Sequence, residues 1–225
     1  MDPLIKHTWN FTESEAVDLQ KQLALKVIQN DQFNKINYIA GVDVAYSEDT
    51  DKLIAAVVIL EATSLNVVES VVVEDVSQFP YIPGLFSFRE LPPIIKAFEK
   101  LVTIPDLVVC DGQGIAHPRR FGLASHLGVL FNIPTIGCGK TRLLGENVEP
   151  ESSRGSCSPL IVDDQVIGTV LRTQDNVKPI YVSIGHKISL PTAREWILKL
   201  CPKYRLPETT RQADQLVRKT LAKDS

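Results

Sequence analysis

Apolar and polar positions in the first third of the chain predict one helix followed by three strands. Thr12 and Glu15 form a Thr-x-x-Glu pattern that caps helix N-termini, and apolar residues then recur at helical spacing as far as Val27. Three apolar runs with strand character follow, separated by short polar stretches, at residues 38–46, 53–60 and 67–76. Because the links between them are short, these strands are predicted to form an antiparallel meander.

The rest of the chain alternates between helical and strand patterns. Helices are predicted around residues 94–101, at 121–131, from about Thr192 through Leu200, and from Thr209 onward. Strands are predicted at residues 107–110, 134–137 and 180–184, with a hairpin of 160–162 and 166–171 around the turn Asp163-Asp164-Gln165. Strands that alternate with helices pair in parallel. The predicted fold is therefore α/β, a mixed sheet of meander plus parallel strands flanked by helices.

The composition is that of an ordinary globular protein. Of 225 residues, 44% are hydrophobic and 23% charged, and we expect residues 1–225 to form a single domain around one core. Residues 1–10 lack the apolar segment of a signal peptide, and no run approaches the roughly 20 apolar residues that cross a bilayer. We therefore expect a cytoplasmic protein without a membrane partner, and separately we expect it to be a monomer. The cysteines are too widely spaced for a zinc site or a disulfide framework: Cys110, Cys138, Cys157 and Cys201.

The charge of the whole chain and its local distribution point in different directions. A formal net charge of −3 argues against a protein that coats nucleic acid through bulk charge. The stretch from Gly112 to Gly145 nevertheless contains no Asp or Glu, and it carries these basic and histidine residues: His117, Arg119, Arg120, His126, Lys140 and Arg142. A local basic face suits an enzyme that binds a polyanion and then releases it, although chance clustering gives the same composition.

Two aspartates interrupt or end apolar strands. Asp43 lies within the apolar run 39–45, where burial of an unpaired carboxylate costs several kcal/mol, so a metal ion, a basic partner or an exposed strand end must compensate it. Asp111 ends the run 107–110, where open α/β sheets bind ligands, but a turn or helix N-cap aspartate would look the same. Two strand-borne aspartates that face one crevice would form the minimal scaffold for Mg²⁺.

Three further residues are candidates for the same chemistry. Glu90 stands near the predicted start of the helix after the Pro83-Gly84 loop, where a glutamate is ordinarily a partner of the helix dipole. Lys140 follows the predicted strand 134–137, from which a long cationic side chain can reach phosphate or an activated water. His117 lies beside two arginines and is a candidate proton donor or phosphate contact. Lys140 and His117 are also typical of solvated surface groups.

A stiff loop precedes that helix. Tyr81 stands between Pro80 and Pro83, whose rings restrict the backbone and hold the tyrosine in a fixed direction. Enzymes that extrude a nucleotide insert an aromatic or apolar wedge into the vacated stack, and Tyr81 is a candidate for this wedge. The alternative is a tyrosine that packs under its own turn.

In combination, these segments closely resemble the endonuclease V family, whose members incise DNA that contains deoxyinosine. The matching stretches run in the family's order from residue 38 to about 214. They are Gly41-Val42-Asp43, Pro80-Tyr81-Ile82-Pro83-Gly84 with Phe88-Arg89-Glu90, Asp111-Gly112-Gln113-Gly114 with His117-Pro118-Arg119-Arg120, Ala124-Ser125-His126, Pro134-Thr135-Ile136-Gly137 with Lys140, and Leu206-Pro207-Glu208 with Thr210-Arg211. Each stretch is weak evidence alone, whereas the ordered set is highly specific.

The resemblance implies an RNase H-like fold in which Asp43, Glu90 and Asp111 hold Mg²⁺, or Mn²⁺ in its place, beside the scissile phosphate. It implies deoxyribonuclease V activity that initiates DNA repair. Water would attack phosphorus in line at the second phosphodiester bond 3′ to the deaminated purine, leaving 3′-hydroxyl and 5′-phosphate ends. Lys140 would support the nucleophile or the transition-state charge, and His117 would assist at the phosphate.

The same resemblance assigns the contacts to the substrate, which would be DNA containing deoxyinosine. Tyr81 would part the duplex, and the other substrate-binding residues would be Ile82, Pro83, Gly84, Leu85, Gly112, Gly114, Arg119, Gly122, Leu123 and Gly137. One departure from the family pattern is Cys138-Gly139 before Lys140, where Val-Ala is expected, and this change keeps both side chains small.

Asp214 is the second departure, because relatives carry either histidine or aspartate there. Thr209 or Thr210 is the predicted N-cap of the last helix, which puts Asp214 in its first or second turn. Asp214 is then either a partner of the helix dipole or a fourth acidic residue at the metal.

Three alternative functions use the same residues differently. An endoribonuclease specific for inosine in RNA would keep the whole site and change only the substrate. A lesion-binding protein that does not cut would have no need of three carboxylates. A small-molecule Mg²⁺-dependent phosphohydrolase would need neither the Tyr81 loop nor the acid-free stretch.

Overall fold

The computed structural model describes residues 1–47 and 50–222, which form five helices and eight strands. The helices are α1 (Glu13–Ala24), α2 (Phe86–Glu99), α3 (Leu123–Phe131), α4 (Leu190–Leu200) and α5 (Glu208–Leu221). The strands are β1 (Tyr38–Tyr46), β2 (Lys52–Glu61), β3 (Val67–Val76), β4 (Leu107–Cys110), β5 (Thr135–Gly139), β6 (Cys157–Val162), β7 (Gln165–Leu171) and β8 (Ile180–His186). No helix within these described ranges is long and apolar enough to span a bilayer.

All the strands join one mixed sheet in the order β3-β2-β1-β4-β5-β8-β7-β6. Strands β1, β2 and β3 pair antiparallel and form the predicted meander. Strands β1, β4 and β5 pair in parallel, because a helix returns the chain to the same end of the sheet between them. Strands β5, β8, β7 and β6 then pair antiparallel. The predicted mixed α/β sheet is thus confirmed.

Helices cover both faces of this sheet. Val42 and Val44 of β1 belong to one apolar cluster with α2 and α3. On the opposite face, Ala213 and Val217 of α5 pack against β2, and α4 packs against β4, β5 and β8. Asp43 alternates with Val42 and Val44 along the strand, so its side chain points toward the face that α5 covers.

Two local predictions are confirmed in detail. At the start of α1, Thr12 Oγ1 accepts from the Glu15 main-chain N at 3.3 Å, and the Glu15 carboxylate accepts from the Thr12 N at 2.8 Å. Between β6 and β7, Asp163 and Asp164 have φ of +48° and +60°, the left-handed conformation of a tight hairpin turn. Gln165 is the first residue of β7 rather than part of this turn.

Helix α2 begins earlier than predicted. It starts at Phe86 and runs through Pro92 and Pro93, so Glu90 is in its second turn rather than at its start. Proline is disfavoured inside helices because it lacks an N–H group and its ring clashes with the preceding turn. The sequence pattern therefore indicated a helix only beyond the two prolines.

The predicted N-cap of α5 is wrong. The helix begins at Glu208 with Pro207 as its N-cap, and no side chain caps it. Thr209 is fully buried, and the Thr210 hydroxyl donates to the Pro207 carbonyl at 3.2 Å. Both threonines therefore lie inside the first turn, where Thr209 packs in the interior and Thr210 makes a local hydrogen bond, and neither is the N-cap.

Candidate active site

Asp43, within β1, and Asp111, just after the end of β4, lie side by side on two neighbouring strands. Strands β1 and β4 run in parallel with Val42 paired to Cys110, so the next residue of each is an aspartate on the same face. Both carboxylates are partly buried, and the Asp111 side chain is 18% exposed. The sheet itself brings together the two aspartates that the sequence singled out.

Glu90 reaches the same place from α2. The residue is only 4% exposed, and its Oε1 accepts a hydrogen bond from Tyr46 Oη at 2.8 Å. The Arg89 guanidinium lies over the Tyr46 ring, 4.8 Å from its centroid. A buried carboxylate held in this way is not the exposed helix-dipole glutamate that the sequence offered as the alternative.

Asp214 joins the carboxylates because α5 approaches β1 very closely. A Cβ at Gly41 would collide with the Thr209 main chain, so only glycine permits the contact. About one and a half turns further along α5, Asp214 faces a cavity of about 350 Å³ that is also lined by Asp43, Glu90, Asp111 and Lys140. Its carboxylate also pairs with Arg218 at 3.0 Å across one helical turn.

The carboxylates in this cavity repel one another. Burial, reinforced by the charge of Asp111, raises the pKa of Asp43 to about 7. Burial also raises the pKa of Glu90 well above its usual range, and the charges of Asp43 and Asp111 act in the same direction against the Tyr46 hydrogen bond. Repulsion between these carboxylates thus adds to the cost of burying them.

Lys140 lies in the loop that follows β5, and its ammonium group pairs with Asp111. Partial burial lowers the pKa of Lys140, but the hydrogen bond and charge of Asp111 outweigh it and raise this pKa overall, so the side chain is cationic. The Lys140 carbonyl accepts from Arg205 Nη2 at 2.7 Å. The loop that carries the lysine is thus held from a second side.

The donor set of this cavity fits a hard divalent cation. In the described part of the chain, no three His, Cys, Asp or Glu side chains are already drawn together as a metal-binding group. Carboxylate oxygens are nevertheless the ligands that Mg²⁺ and Mn²⁺ prefer. A cation offsets both the burial and the mutual repulsion that raise the pKa of Asp43 and Glu90. Asp43, Glu90 and Asp111 could bind it directly, and Asp214 is placed to add a fourth carboxylate.

A second cavity of about 400 Å³ adjoins the acidic one. The two cavities share Phe86, Asp111 and Lys140 in their walls. Tyr81 lines the second cavity and is 70% exposed, so it is not packed under its own turn. The other predicted substrate residues that line it are Ile82, Pro83, Gly84, Gly112, Gly122 and Leu123.

The remaining predicted substrate residues do not line this cavity: Leu85, Gly114, Arg119 and Gly137. Leu85 is buried in a cluster with Ala16 and Phe88. A Cβ at Gly114 would collide with the carbonyl of Ile184, and one at Gly137 would collide with Gly114. These two glycines permit close packing of the backbone beneath the cavity.

His117 and Arg119 point toward the Tyr81 loop from below. His117 Nε2 donates to the Gly84 carbonyl at 3.0 Å, and its Nδ1 accepts from the Arg119 main-chain N at 3.2 Å. Arg119 Nη2 donates to the same carbonyl at 2.6 Å. Burial and the charge of Arg119 lower the pKa of His117 to about 4, so its imidazole is neutral near pH 7. Both ring nitrogens of His117 are occupied by main-chain groups.

The acid-free stretch 112–145 does not form one exposed basic face. His126 is fully buried, with its ring nitrogens 3.0 Å from Ser87 Oγ and from His7 Nε2. Lys140 and Arg142 line the 400 Å³ cavity. Part of the basic stretch therefore stabilises the fold, and part of it faces the cavity.

Several residues of the site were not predicted from the sequence. Tyr46 fixes the Glu90 carboxylate, and the second cavity is also lined by Gln20, Phe86, Ser87, Gln113, Thr141 and Arg142. A signal for Gln20 was present, because it stands four residues after Ala16 and three before Leu23 on the buried face of α1. A polar residue at such a position indicates a specific hydrogen-bond partner.

A family model described as Endonuclease V matches residues 21–215. The chain belongs to the endonuclease V family. Endonuclease V from Trichormus variabilis is 53% identical over 211 residues, which cover 93% of this chain and 96% of that relative. The predicted family is confirmed, and with it the assignment of the chain as an endonuclease.

Solved structures of endonuclease V agree with this fold. The crystal structure from Streptomyces avermitilis matches with a TM-score of 0.92 and 45% identity, covering 98% of this chain and 97% of that one. Endonuclease V from Ciona intestinalis, crystallised with a 24mer DNA containing an inosine followed by a ribo-adenosine, matches with a TM-score of 0.84 and 29% identity over 94% and 98% of the two chains. A likeness to Aquifex aeolicus Argonaute, at 16% identity and a TM-score of 0.52, shows the fold alone and covers 85% of this chain and 30% of that one. The predicted RNase H-like fold is confirmed.

Proposed function

We propose that this member of the endonuclease V family is a Mg²⁺-dependent endonuclease that recognises deoxyinosine in DNA and cleaves the second phosphodiester bond 3′ to it. This cut initiates repair of the deaminated base, and Mn²⁺ can replace Mg²⁺. The proposal rests on the two adjoining cavities, one acidic and one lined by glycines and the Tyr81 loop, with Asp111 and Lys140 in both walls. A nucleotide held in the second cavity has a neighbouring phosphate within reach of the first.

Each residue of the acidic cavity has a distinct role in hydrolysis. Asp43, Glu90 and Asp111 hold the divalent cation, which when bound supplies an activated water and neutralises charge on the phosphate. The Lys140 ammonium, oriented by Asp111, stabilises negative charge that develops on the phosphate oxygens. Tyr46 keeps the Glu90 carboxylate in place through its 2.8 Å hydrogen bond.

The second cavity suits an extruded purine. Gly112 follows β4 and Gly122 is the N-cap of α3, so main-chain groups from two turns face the same space. Main-chain N–H and C=O groups without intervening side chains can read the edge of a flipped base by hydrogen bonding. The ring of Tyr81 enters the stack that the base leaves.

Incision of matched oligonucleotides tests the proposal. Substrates carry one deoxyinosine in DNA, one inosine in RNA, or the corresponding unmodified adenosine. We expect cutting of the deoxyinosine strand one nucleotide beyond the lesion on its 3′ side, with 5′-phosphate products, only when Mg²⁺ or Mn²⁺ is present. If only the RNA substrate is cut, the protein is an endoribonuclease rather than a deoxyribonuclease. Tight binding without products would indicate a lesion-binding protein.

Tyr81→Ala is expected to reduce incision of duplex substrate by roughly tenfold more than incision of single strands, because stacking of one base on an aromatic ring contributes about 1–3 kcal/mol and only a duplex must be opened. Initial rates on matched duplex and single-stranded deoxyinosine DNA measure this ratio. Tyr38→Ala, which removes another exposed tyrosine at the start of β1, is the control. Equal losses on both substrates would show that Tyr81 is a general contact rather than a wedge.

A further inference from the structure

Three hydrogen-bond donors converge on one main-chain oxygen beneath the Tyr81 loop. The Gly84 carbonyl accepts from Gln20 Nε2 at 3.0 Å, from His117 Nε2 at 3.0 Å and from Arg119 Nη2 at 2.6 Å. A carbonyl oxygen has two lone pairs, so three donors saturate it. Gly84 also adopts a left-handed φ of +82°, which defines the turn into α2. Groups outside the loop therefore fix the orientation of this peptide.

The donors are also tied to one another. Gln20 Oε1 accepts from Arg119 Nε at 2.5 Å, and Gln20 Nε2 donates a second time to the Phe121 carbonyl at 3.1 Å. Gln20 is only 1% exposed, although it lies on a surface helix. A buried amide destabilises the fold unless its polar groups are hydrogen-bonded, and those of Gln20 are. A glutamine at a position where an apolar residue would ordinarily pack therefore indicates a specific polar contact. Gln20 thus links α1 to both the loop and the turn that carries Arg119.

Tyr81 depends on this network because its own side chain has little support. Its residue is 70% exposed, and it stands three positions before Gly84. The loop closes through a hydrogen bond from the Leu85 N to the Ile82 carbonyl at 2.9 Å. The direction of the tyrosine is therefore set by the path of the backbone from Tyr81 to Gly84, and the network under the Gly84 carbonyl fixes one end of that path.

We propose that Gln20 is a positioning residue for duplex opening: through the Gly84 carbonyl and Arg119 it holds the loop so that Tyr81 enters the DNA stack. The inference rests on the proposed function, because a wedge has a role only if a base is extruded. By the same geometry, His117 and Arg119 are positioning residues of this loop, and their effect on incision is transmitted through Gly84.

Two substitutions separate the hydrogen bonds of Gln20 from its volume. Gln20→Met fills the same space without any donor or acceptor. Gln20→Glu keeps an acceptor for Arg119 but loses the donor to Gly84. Gln22→Met is the matched control, because Gln22 lies on the same helix with an exposed side chain. Melting temperatures verify that each variant is folded.

Two measurements then test the inference. Hydrogen–deuterium exchange of residues 80–87 in the protein alone is expected to be roughly fivefold faster in both Gln20 variants, as for loss of about one net hydrogen bond. Incision of duplex deoxyinosine DNA is expected to fall roughly five- to tenfold more than incision of single strands. Adding Tyr81→Ala to Gln20→Met should cause little further loss on duplex, because both changes remove the same function. Gln22→Met should match the wild type in both measurements.

The outcomes distinguish this inference from the proposed function. Wild-type protein that does not cut at deoxyinosine overturns the proposed function. If the wild type cuts normally, two results with folded Gln20 variants overturn only the positioning role. One is unchanged hydrogen–deuterium exchange of residues 80–87, and the other is an equal loss of incision on duplex and on single strands. If Gln20→Met does not fold, Gln20→Glu provides the same comparison, because it retains the contact with Arg119.

Discussion

Asp43→Asn is expected to abolish Mg²⁺-dependent incision and, in the metal-free protein at pH 8, to raise the melting temperature. The first effect arises because Asp43 and Asp111 are the two carboxylates that adjacent parallel strands place side by side. Without one of them the cation loses a charged oxygen ligand, and the rate should fall by roughly 10³-fold or more. Initial rates across a Mg²⁺ titration measure this loss.

The second effect follows from the direction of the pKa shift. The pKa of Asp43 is about 7 in the folded protein, against an ordinary value of 3.8, so the folded state binds this proton more tightly than the unfolded chain. Between about pH 4 and pH 7 the unfolded chain has lost a proton that the folded protein keeps, and the free energy of unfolding falls as the pH rises. Asparagine does not ionise and avoids this penalty. The gain above pH 7 should be on the order of 2–4 kcal/mol, or roughly 5 °C or more.

Thermal melting at pH 5 and pH 8, with and without Mg²⁺, checks both effects together. At pH 5 the folded protein still keeps the Asp43 proton that the unfolded chain has mostly released, so only part of the penalty has developed, and the stability gain from asparagine should be less than half of that at pH 8. Mg²⁺ should raise the melting temperature of the wild type and have little effect on Asp43→Asn, because the ligand binds only an intact site. Asp18→Asn, which changes an exposed carboxylate on α1, serves as the control. Incision that persists in Asp43→Asn, or a gain equal at both pH values, would contradict the assignment of Asp43.

The sequence was most informative where chemistry follows directly from strand pattern. Apolar runs located β1 and β4, and the aspartate that each run carries made Asp43 and Asp111 candidates for one metal site. The parallel pairing of these two strands then brings the two aspartates together. Glu90 and Lys140 were weaker candidates, and the family resemblance gave each of them a role at the metal site. Neither residue stands out locally, because a glutamate in a helix and a lysine in a loop have ordinary surface roles.

What could not be predicted depends on contacts between segments distant in the chain. Pro92 and Pro93 hid the true start of α2, and with it the burial of Glu90. The approach of α5 to Gly41 joins residues more than 160 positions apart, and the three donors to the Gly84 carbonyl come from two separate segments. Local periodicity records which face of an element is buried, but the partner on that face is set by tertiary packing.

Asp214→Asn is expected to raise the Mg²⁺ concentration needed for half-maximal incision by roughly tenfold or more. Asp214 is the seventh residue of α5, beyond the first turn where interaction with the helix dipole is strongest, and it faces the same cavity as Asp43, Glu90 and Asp111. A carboxylate in this place can bind the cation or orient its waters, and asparagine keeps the shape while removing the charge. Asp214→His should retain part of the activity with a changed metal preference, because imidazole favours softer cations.

Arg218 provides the control that separates metal binding from helix stability. It pairs with Asp214 one turn away, an exposed interaction that stabilises a helix by only about 0.3–0.5 kcal/mol. Arg218→Gln removes that pair but keeps the Asp214 carboxylate, so its Mg²⁺ requirement should be unchanged or lower, since a competing cation is gone. If Asp214→Asn and Arg218→Gln both show a small loss of melting temperature and an unchanged Mg²⁺ titration, Asp214 is only a partner within α5. Both substitutions break the same ion pair, but only Asp214→Asn removes the carboxylate from the acidic cavity. A raised Mg²⁺ requirement in Asp214→Asn alone therefore places the charge of Asp214 at the metal.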